Sequence, residues 1–342
     1  MLTCGFRAQQ KQQPFIPEKH LQQSTENVLP WLQAASADNE GLCLATLVHA
    51  DGPSPRPCGS QMAVAADGSY RGYLSGGCAE AAIAAEAVKA ITSGTNCATR
   101  FGVGSPYLDI QLPCGAGIDI WFDQTITAAL VEKVLYSLER RQAVCVETCV
   151  DPLAGVSQVV SPGSEAQAAS FRRWYYPARR IVIVGTGPIA VALARLATAA
   201  SYDVAVLSPD DPTLHELGVA GVRATRLANA SRIQALDSDP FTAVVLLFHE
   251  HERELEVFEH FIRSDVFYIG ALGSQRTHAI RLDLLRGAGV EDEYLSRIHG
   301  PVGLHIQAQE PAEIAIAVLA QITADYQAAG HPLIEWRGGA LT

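Results

Sequence analysis

No run of residues is long and apolar enough to span a membrane, and the chain carries no excess of positive charge. Lys and Arg number 25 against 36 Asp and Glu, for a formal net charge of -11. That balance argues against nucleic acid or an anionic membrane surface as a partner. The first residues place Arg7, Lys11, Glu18 and Lys19 among glutamines and lack the apolar segment of a secretory signal. Eight cysteines scattered over 342 residues lack the paired spacing of a disulfide framework. They read as reduced thiols, so the expected compartment is the cytoplasm.

What is present is enough apolar material, 48% of 342 residues, for two cores. The chain is organised around Ile181-Val182-Ile183-Val184-Gly185-Thr186-Gly187-Pro188-Ile189-Ala190. Four β-branched residues in a row predict a strand buried on both faces of a parallel sheet. Gly185 and Gly187 predict a tight turn, and Pro188 fits the first turn of a helix. Ala190, Leu193, Ala194 and Ala197 lay a small-residue stripe on that helix. This is the Gly-x-Gly-x-x-Ala form of the dinucleotide fingerprint, and it predicts a Rossmann-type unit. NAD(P) is not favoured, because the next strand, Asp203–Leu207, runs into Ser208-Pro209-Asp210-Asp211 and not directly into an acid. A ribose contact would fall to Ser208 or be displaced to Asp210. A sheet that carries another phosphate, or none, is the alternative.

Before this unit, residues 1–22 are unpatterned and expected to be a disordered arm. A helix is expected near Glu26–Ala35, and Gly41–Val48 reads as a buried strand. The strand opens into a proline- and glycine-rich loop, Asp51–Ser60, containing Arg56 and Cys58. That loop suits a ligand contact, or else it is a surface crossing with a solvated arginine. A hairpin around Asp67-Gly68 leads to Ser75-Gly76-Gly77-Cys78-Ala79-Glu80 and an alanine-rich helix to about Ile91. With Cys78 in its first turn, the helix start would favour the thiolate; a small buried cysteine is the alternative. A further glycine turn holds Cys114, Gly115 and Gly117 before the short strand Ile118–Phe122. A helix near Thr127–Arg140 precedes the strand Ala143–Val150. There Cys145, Glu147 and Cys149 share a face and read as packing or surface groups. Residues 151–178 are expected to be the interdomain connection, or in part a long hairpin.

Residues 179–330 continue as alternating strands and helices. Phe241–Phe248 reads as a buried strand, with a helix start predicted at Glu252 and Glu254. Val266–Ile269 reads as the next strand, ending in Gly270-Ala271-Leu272-Gly273-Ser274-Gln275-Arg276. Ser274 is the expected N-cap, and Arg276 would sit over the same sheet edge as Gly187, placed for a phosphate. A solvated first-turn arginine is the alternative. The last helix is predicted over Pro311–Gln327, and 331–342 as a tail. The expected architecture is α/β: an α/β domain with a mixed sheet over 23–150, then a Rossmann-type parallel-sheet domain.

Tyr268–Arg276, Arg297-Ile298-His299-Gly300-Pro301-Val302-Gly303-Leu304 and Pro311–Ala315 closely resemble the C-terminal domain of the xanthine dehydrogenase accessory (XdhC/CoxI) family. Gly52–Arg56, Ser75–Glu80 and Cys114–Gly117 resemble that family's first-domain motifs, so the likeness spans about residues 40 to 325. The resemblance implies a chaperone, not an enzyme, that binds molybdenum cofactor as cargo, in its molybdopterin or dinucleotide form. It also implies a molybdenum hydroxylase apoenzyme and a cysteine desulfurase as partners, and a homodimer. Arg56, Gly76, Gly77, Cys78, Glu80, Cys114 and Gly115 would line one side of the cofactor site. Gly185, Gly187, Gly273, Ser274 and Arg276 would line the other. Cys78 and Cys114 are the candidate contacts to the metal. Two departures stand out: the family often has His where this chain has Pro188, and Asp where it has Ser208. Cys58 falls where other members vary. An NAD(P)-dependent oxidoreductase and a ligand-free interaction module are the competing readings.

Overall fold

The computed structural model describes residues 27–36, 41–54, 56–105, 107, 112, 115, 117–150, 157–161, 164–165, 169–228, 238–248 and 252–337. The expected arm over 1–22 lies outside them.

The chain begins with α1 (Leu29–Ala35), β1 (Leu42–Asp51), β2 (Gln61–Ala65), β3 (Tyr70–Gly72), α2 (Glu80–Ser93), β4 (Cys97–Gly102) and β5 (Gly117–Asp123). The five strands form one sheet in the order β3-β2-β1-β5-β4. Every pairing in it is antiparallel, so the expected mixed sheet is corrected. The physical reason is connectivity. β1, β2 and β3 are neighbours both in sequence and in the sheet, joined by a loop and a tight turn with no crossover helix between them, and β4 and β5 are likewise successive neighbours. Strand β1 is buried on both faces. Cys43, Ala45 and Leu47 pack with Ile83 and Ala87 of α2, while Leu44 packs in a second core with Leu29 of α1.

The chain continues with α3 (Ala128–Glu139), β6 (Val144–Cys149), β7 (Ser157–Val160) and β8 (Ser170–Tyr175). The expected connection is thus built into strands: β7 and β8 both pair antiparallel with β6. Its hairpin alternative is the nearer one. On β6 Cys145 and Glu147 are buried, and Glu147 accepts a bond from Arg172 Nε at 3.2 Å. Burial pushes the Cys145 thiol up to about 11, which suits packing and not reactivity.

The rest comprises β9 (Arg180–Gly185), α4 (Gly187–Ala199), β10 (Asp203–Ser208), α5 (Asp211–Val219), β11 (Ala224–Arg226), β12 (Thr242–Leu247), α6 (Glu252–Phe261), β13 (Tyr268–Ala271), α7 (Gln275–Gly287), α8 (Asp292–Leu295), β14 (Ile298–His299), α9 (Pro311–Ala328) and β15 (Ile334–Arg337). Six strands form a parallel sheet in the order β11-β10-β9-β12-β13-β14. This is the doubly wound Rossmann order, with its switch point between β9 and β12. Ile181 and Ile183 face a core with α4 and α9, and Val182 and Val184 face one with α6. Both faces are covered, so β9 is a continuous apolar run. A Cβ on Gly185 would lie 2.3 Å from the Leu247 carbonyl oxygen, so only glycine lets β9 and β12 stay this close there.

The stretch after α9 does not trail away, for β15 returns to pair with β8. A second link is Arg141, just beyond α3. It donates to Ala178 O at 2.9 Å and clasps the Asp239 carboxylate through Nε and Nη2. Asp239, Arg180 and Asp203 lie where β12, β9 and β10 begin, so this link grips the amino-terminal edge of the parallel sheet. Burial alone would raise the Asp239 carboxyl, but the Arg141 guanidinium outweighs it and holds the group below its usual value.

Arg141→Ala should cost about 1–3 kcal/mol at neutral pH, read from urea titration. A carboxyl depressed in the native state contributes fully above its unfolded pKa of about 3.9, and that contribution fades as pH falls through the lower native value. The gap between wild type and variant should therefore narrow at pH 3.

Candidate functional site

Antiparallel pairing about β1 decides where the loops go. Asp51, which ends β1, lies opposite Gly117, which begins β5, and Gly102, which ends β4, pairs with the same glycine. Met62, near the start of β2, lies opposite Gly72, which ends β3. The segments after β1, β3 and β4 therefore all leave the sheet at one end. These are the segments that carry Arg56, Cys78 and Gly115.

Arg100 holds that end together. Its Nη1 donates to both Asp119 carboxylate oxygens, at 3.1 and 2.9 Å, and its Nε donates to Val103 O at 2.9 Å. Its Nη2 pairs with Asp51. The guanidinium, together with His49 on its other side, holds the Asp51 carboxyl below its usual range. One side chain thus binds the end of β1, the strand β5 and the turn after β4.

The Ser75–Ala79 loop is fixed from within by Glu80. The carboxylate is buried, and Oε1 accepts the Leu74 and Ser75 amides at 2.9 and 2.8 Å. The Ser75 hydroxyl donates to Oε2 at 2.7 Å, and its oxygen accepts the Ala79 amide at 2.7 Å. Burial would raise the Glu80 carboxyl, but these donors prevail and lower it. Glu80 therefore faces inward, as the frame of the loop. Gly76 (φ 76°) and Gly77 (φ 104°) carry the chain across the top in a backbone conformation that side chains disfavour, leaving Gly76, Gly77 and Cys78 exposed.

The expected place of Cys78 is the first helical turn. It stands before it, since Ala79 is the N-cap of α2 and the two glycines prolong the loop by a residue. Arg56 comes close from the neighbouring loop. Its guanidinium lies 4.7 Å from the Tyr73 ring centroid and donates to the Tyr73 hydroxyl at 3.4 Å. Tyr73 is two residues from Ser75, so Arg56 and the cysteine loop share one surface. Gly115 is exposed, and its amide bonds to the carbonyl of Leu112, which packs in the same core as Ala79. Cys114 lies outside the described residues.

On the parallel sheet, Gly185 ends β9 and Gly187 begins α4, while Gly273, Ser274 and Arg276 follow β13, all at the carboxyl-terminal edge. Ser274 caps α7 as expected, its Oγ accepting the Thr277 amide at 3.1 Å, and Arg276 is exposed. Glu254 lies in the first turn of α6 as expected, but it is buried and bonds Arg281 at 2.9 and 3.1 Å. Among the described residues no hydrogen bond or ion pair joins the Ser75–Ala79 loop to Gly185, Gly187, Ser274 or Arg276. The described links between the two parts of the fold include the Arg141 clasp and Gly59, which lies against Leu333 and whose carbonyl accepts from Arg173 Nε at 2.6 Å.

Sequence reasoning missed Tyr73, Arg100 and the inward role of Glu80. For Arg100 there was a usable signal, because Arg100 and Asp119 are opposite charges at directly facing positions of neighbouring strands.

Known proteins agree with the two-part fold. The XdhC Rossmann domain family matches residues 181–322, and the XdhC and CoxI family matches residues 35–102. The chain is 35% identical over 314 residues to the molybdenum cofactor insertion chaperone PaoD of Escherichia coli (strain K12), covering 91% of this chain and 90% of that protein. It is 26% identical to a probable xanthine dehydrogenase subunit of Bacillus subtilis (strain 168), covering 85% of this chain and 95% of the other. A crystal structure of a xanthine dehydrogenase from Bacillus halodurans shares the fold, with a TM-score of 0.71 at 21% identity over 89% of this chain and 98% of that one.

Glu80→Ala strands the Leu74 and Ser75 amides and should cost about 2–3 kcal/mol, a drop of several degrees in melting temperature. Hydrogen exchange at those two amides should quicken by more than at any residue of β9.

Proposed function

Because this chain belongs to the XdhC and CoxI family, we propose that it is a molybdenum cofactor-binding chaperone for a molybdenum hydroxylase of the xanthine or aldehyde dehydrogenase type. It holds the cofactor during its sulfuration, in which a cysteine desulfurase is the partner that provides sulfur, and then passes it to the apoenzyme. The protein acts as an accessory factor and not as an enzyme. It works in the cytoplasm, as a homodimer.

The observation that carries this reading is the gathering of Arg56, Cys78 and Gly115 on loops at one end of the first sheet. The molybdenum cofactor is a phosphorylated pterin with a soft, sulfur-rich metal centre, and each part has a complement here. A guanidinium recognises phosphate through paired donors. The exposed backbone at Gly76 and Gly77 admits close approach of a ligand. An exposed thiol at Cys78 suits a thiophilic metal, and Cys114 is the candidate second sulfur. Gly185, Gly273, Ser274 and Arg276 are the candidate contacts on the Rossmann side, while the Gly187 amide already donates to Thr213 Oγ1. The extent of the likeness to PaoD, whose name states cofactor insertion, supports the same reading. Among the described residues no helix is long and apolar enough to cross a membrane.

The test is to produce the protein with a molybdenum hydroxylase, purify it, and measure bound molybdenum by mass spectrometry and pterin by fluorescence after oxidation. Wild type should retain both. Cys78→Ala and Arg56→Ala should each lose at least tenfold while keeping their circular dichroism. Wild type without molybdenum, or variants that keep it, would reject the assignment.

A further inference from the structure

In a dinucleotide-binding Rossmann unit, amides at the start of the first helix face the pyrophosphate, and an acid after the second strand faces the ribose. In this protein those two groups are tied to each other. The Gly187 amide, first in α4, donates to Thr213 Oγ1 at 2.9 Å. The Thr213 hydroxyl in turn donates to Asp210 Oδ2 at 2.5 Å, and the Thr213 amide donates to the same oxygen at 2.9 Å. Asp210 is the first acid after β10, the position to which a ribose contact would be displaced. Thr213 is 3% exposed, so the link lies inside the edge and not across its surface.

Two neighbours complete the closure. The next residue of α4 is Pro188, which has no N–H to offer. Ser208, which ends β10, is fully buried, and its Oγ accepts the Asp210 amide at 3.2 Å, holding the strand end in this turn. The hydroxyl and amide of Thr213 also lower the Asp210 carboxyl, which keeps it an ionised acceptor at neutral pH. The Gly187 amide and one carboxylate oxygen of Asp210 are therefore already engaged, and Thr213 is the residue that joins them.

We propose that Thr213 is a specificity-determining residue which latches the Gly187 turn to Asp210 and thereby closes this Rossmann edge to NAD(P) and related adenine dinucleotides. The inference does not depend on the cargo reading, because its probes are NAD+ and ADP and its readout is a backbone amide. It separates the fold of a dehydrogenase from the binding function of one. Any phosphate of the cargo must then be held by groups other than the Gly187 amide.

The test compares full-length wild type with Thr213→Val, which keeps the shape and removes the hydroxyl, and with Thr213→Ser, which keeps the hydroxyl. In wild type and Thr213→Ser the Gly187 amide should resist hydrogen exchange and stay unmoved in nitrogen–proton spectra as NAD+ or ADP is raised to millimolar levels. In Thr213→Val its protection should fall at least tenfold, and ADP should shift it with an affinity at least tenfold above wild type. Wild type that binds NAD+ or ADP saturably with a Gly187 shift overturns the proposal. So does a Thr213→Val protein that matches wild type in exchange and in ADP response.

Discussion

The guanidinium of Arg100 is the fastening on which the loop end of the first sheet depends. It touches the last residue of β1, a mid-strand carboxylate of β5 and a carbonyl beyond β4, so the exits of those strands cannot drift apart. Lysine could not replace it, since a single ammonium lacks the fork needed to meet three acceptors in fixed directions. A ligand that must be met from several loops at once needs this kind of base. Charge-assisted bonds in a partly buried setting supply stiffness at a place where glycines and prolines supply none. The Glu80 carboxylate does the same inside its own loop, and the two anchors share a plan: a buried or half-buried charge directs its bonds inward so that the residues above it are presented outward.

The parallel sheet is held differently. Its strands are apolar on both faces and its stability comes from packing, with Gly185 as the point where two backbones approach too closely for any side chain. The carboxyl-terminal edge carries the expected glycine turn, yet the Gly187 amide in it is engaged by Thr213. Fold and function thus part company at this edge. The Rossmann arrangement provides a rigid body, while the first sheet provides the exposed, chemically varied loops. Arg141 and the returning β15 connect these parts near the amino-terminal edge of the parallel sheet, and leave its opposite edge clear of those contacts.

Much of this was readable from residues. Apolar runs with no polar alternation marked β9 and β12, because strands covered on both faces need no alternation. Turn chemistry marked the Asp67-Gly68 hairpin, and Ser274 was recognisable as a cap. The third sheet was not readable in this way. Strands β7 and β8 are short and rich in polar residues, Arg172 and Arg173 among them, and they are held by cross-strand pairing and by bonds to Glu147 and Gly59 that local pattern does not show. The tail met the same obstacle, since β15 exists only because β8 offers an edge. At the candidate site the exposed residues were legible by type. The inward duty of Glu80 was not, because a first-turn acid looks the same whether it faces a ligand or its own loop. The Thr213 latch was half legible: Asp210 with a residue three further on is an N-cap pattern, but the reach back to Gly187 is a tertiary contact.

The central claim is that the loops after β1 and β3 act together as the seat of a molybdenum cofactor. Hydrogen exchange with mass spectrometry on the full chain, with and without bound molybdenum cofactor, tests this most directly. The account predicts that peptides spanning residues 52–60 and 73–79 gain protection together, while those of β7 and β8 stay unchanged. Protection that appears elsewhere and leaves both loops as they were would contradict it.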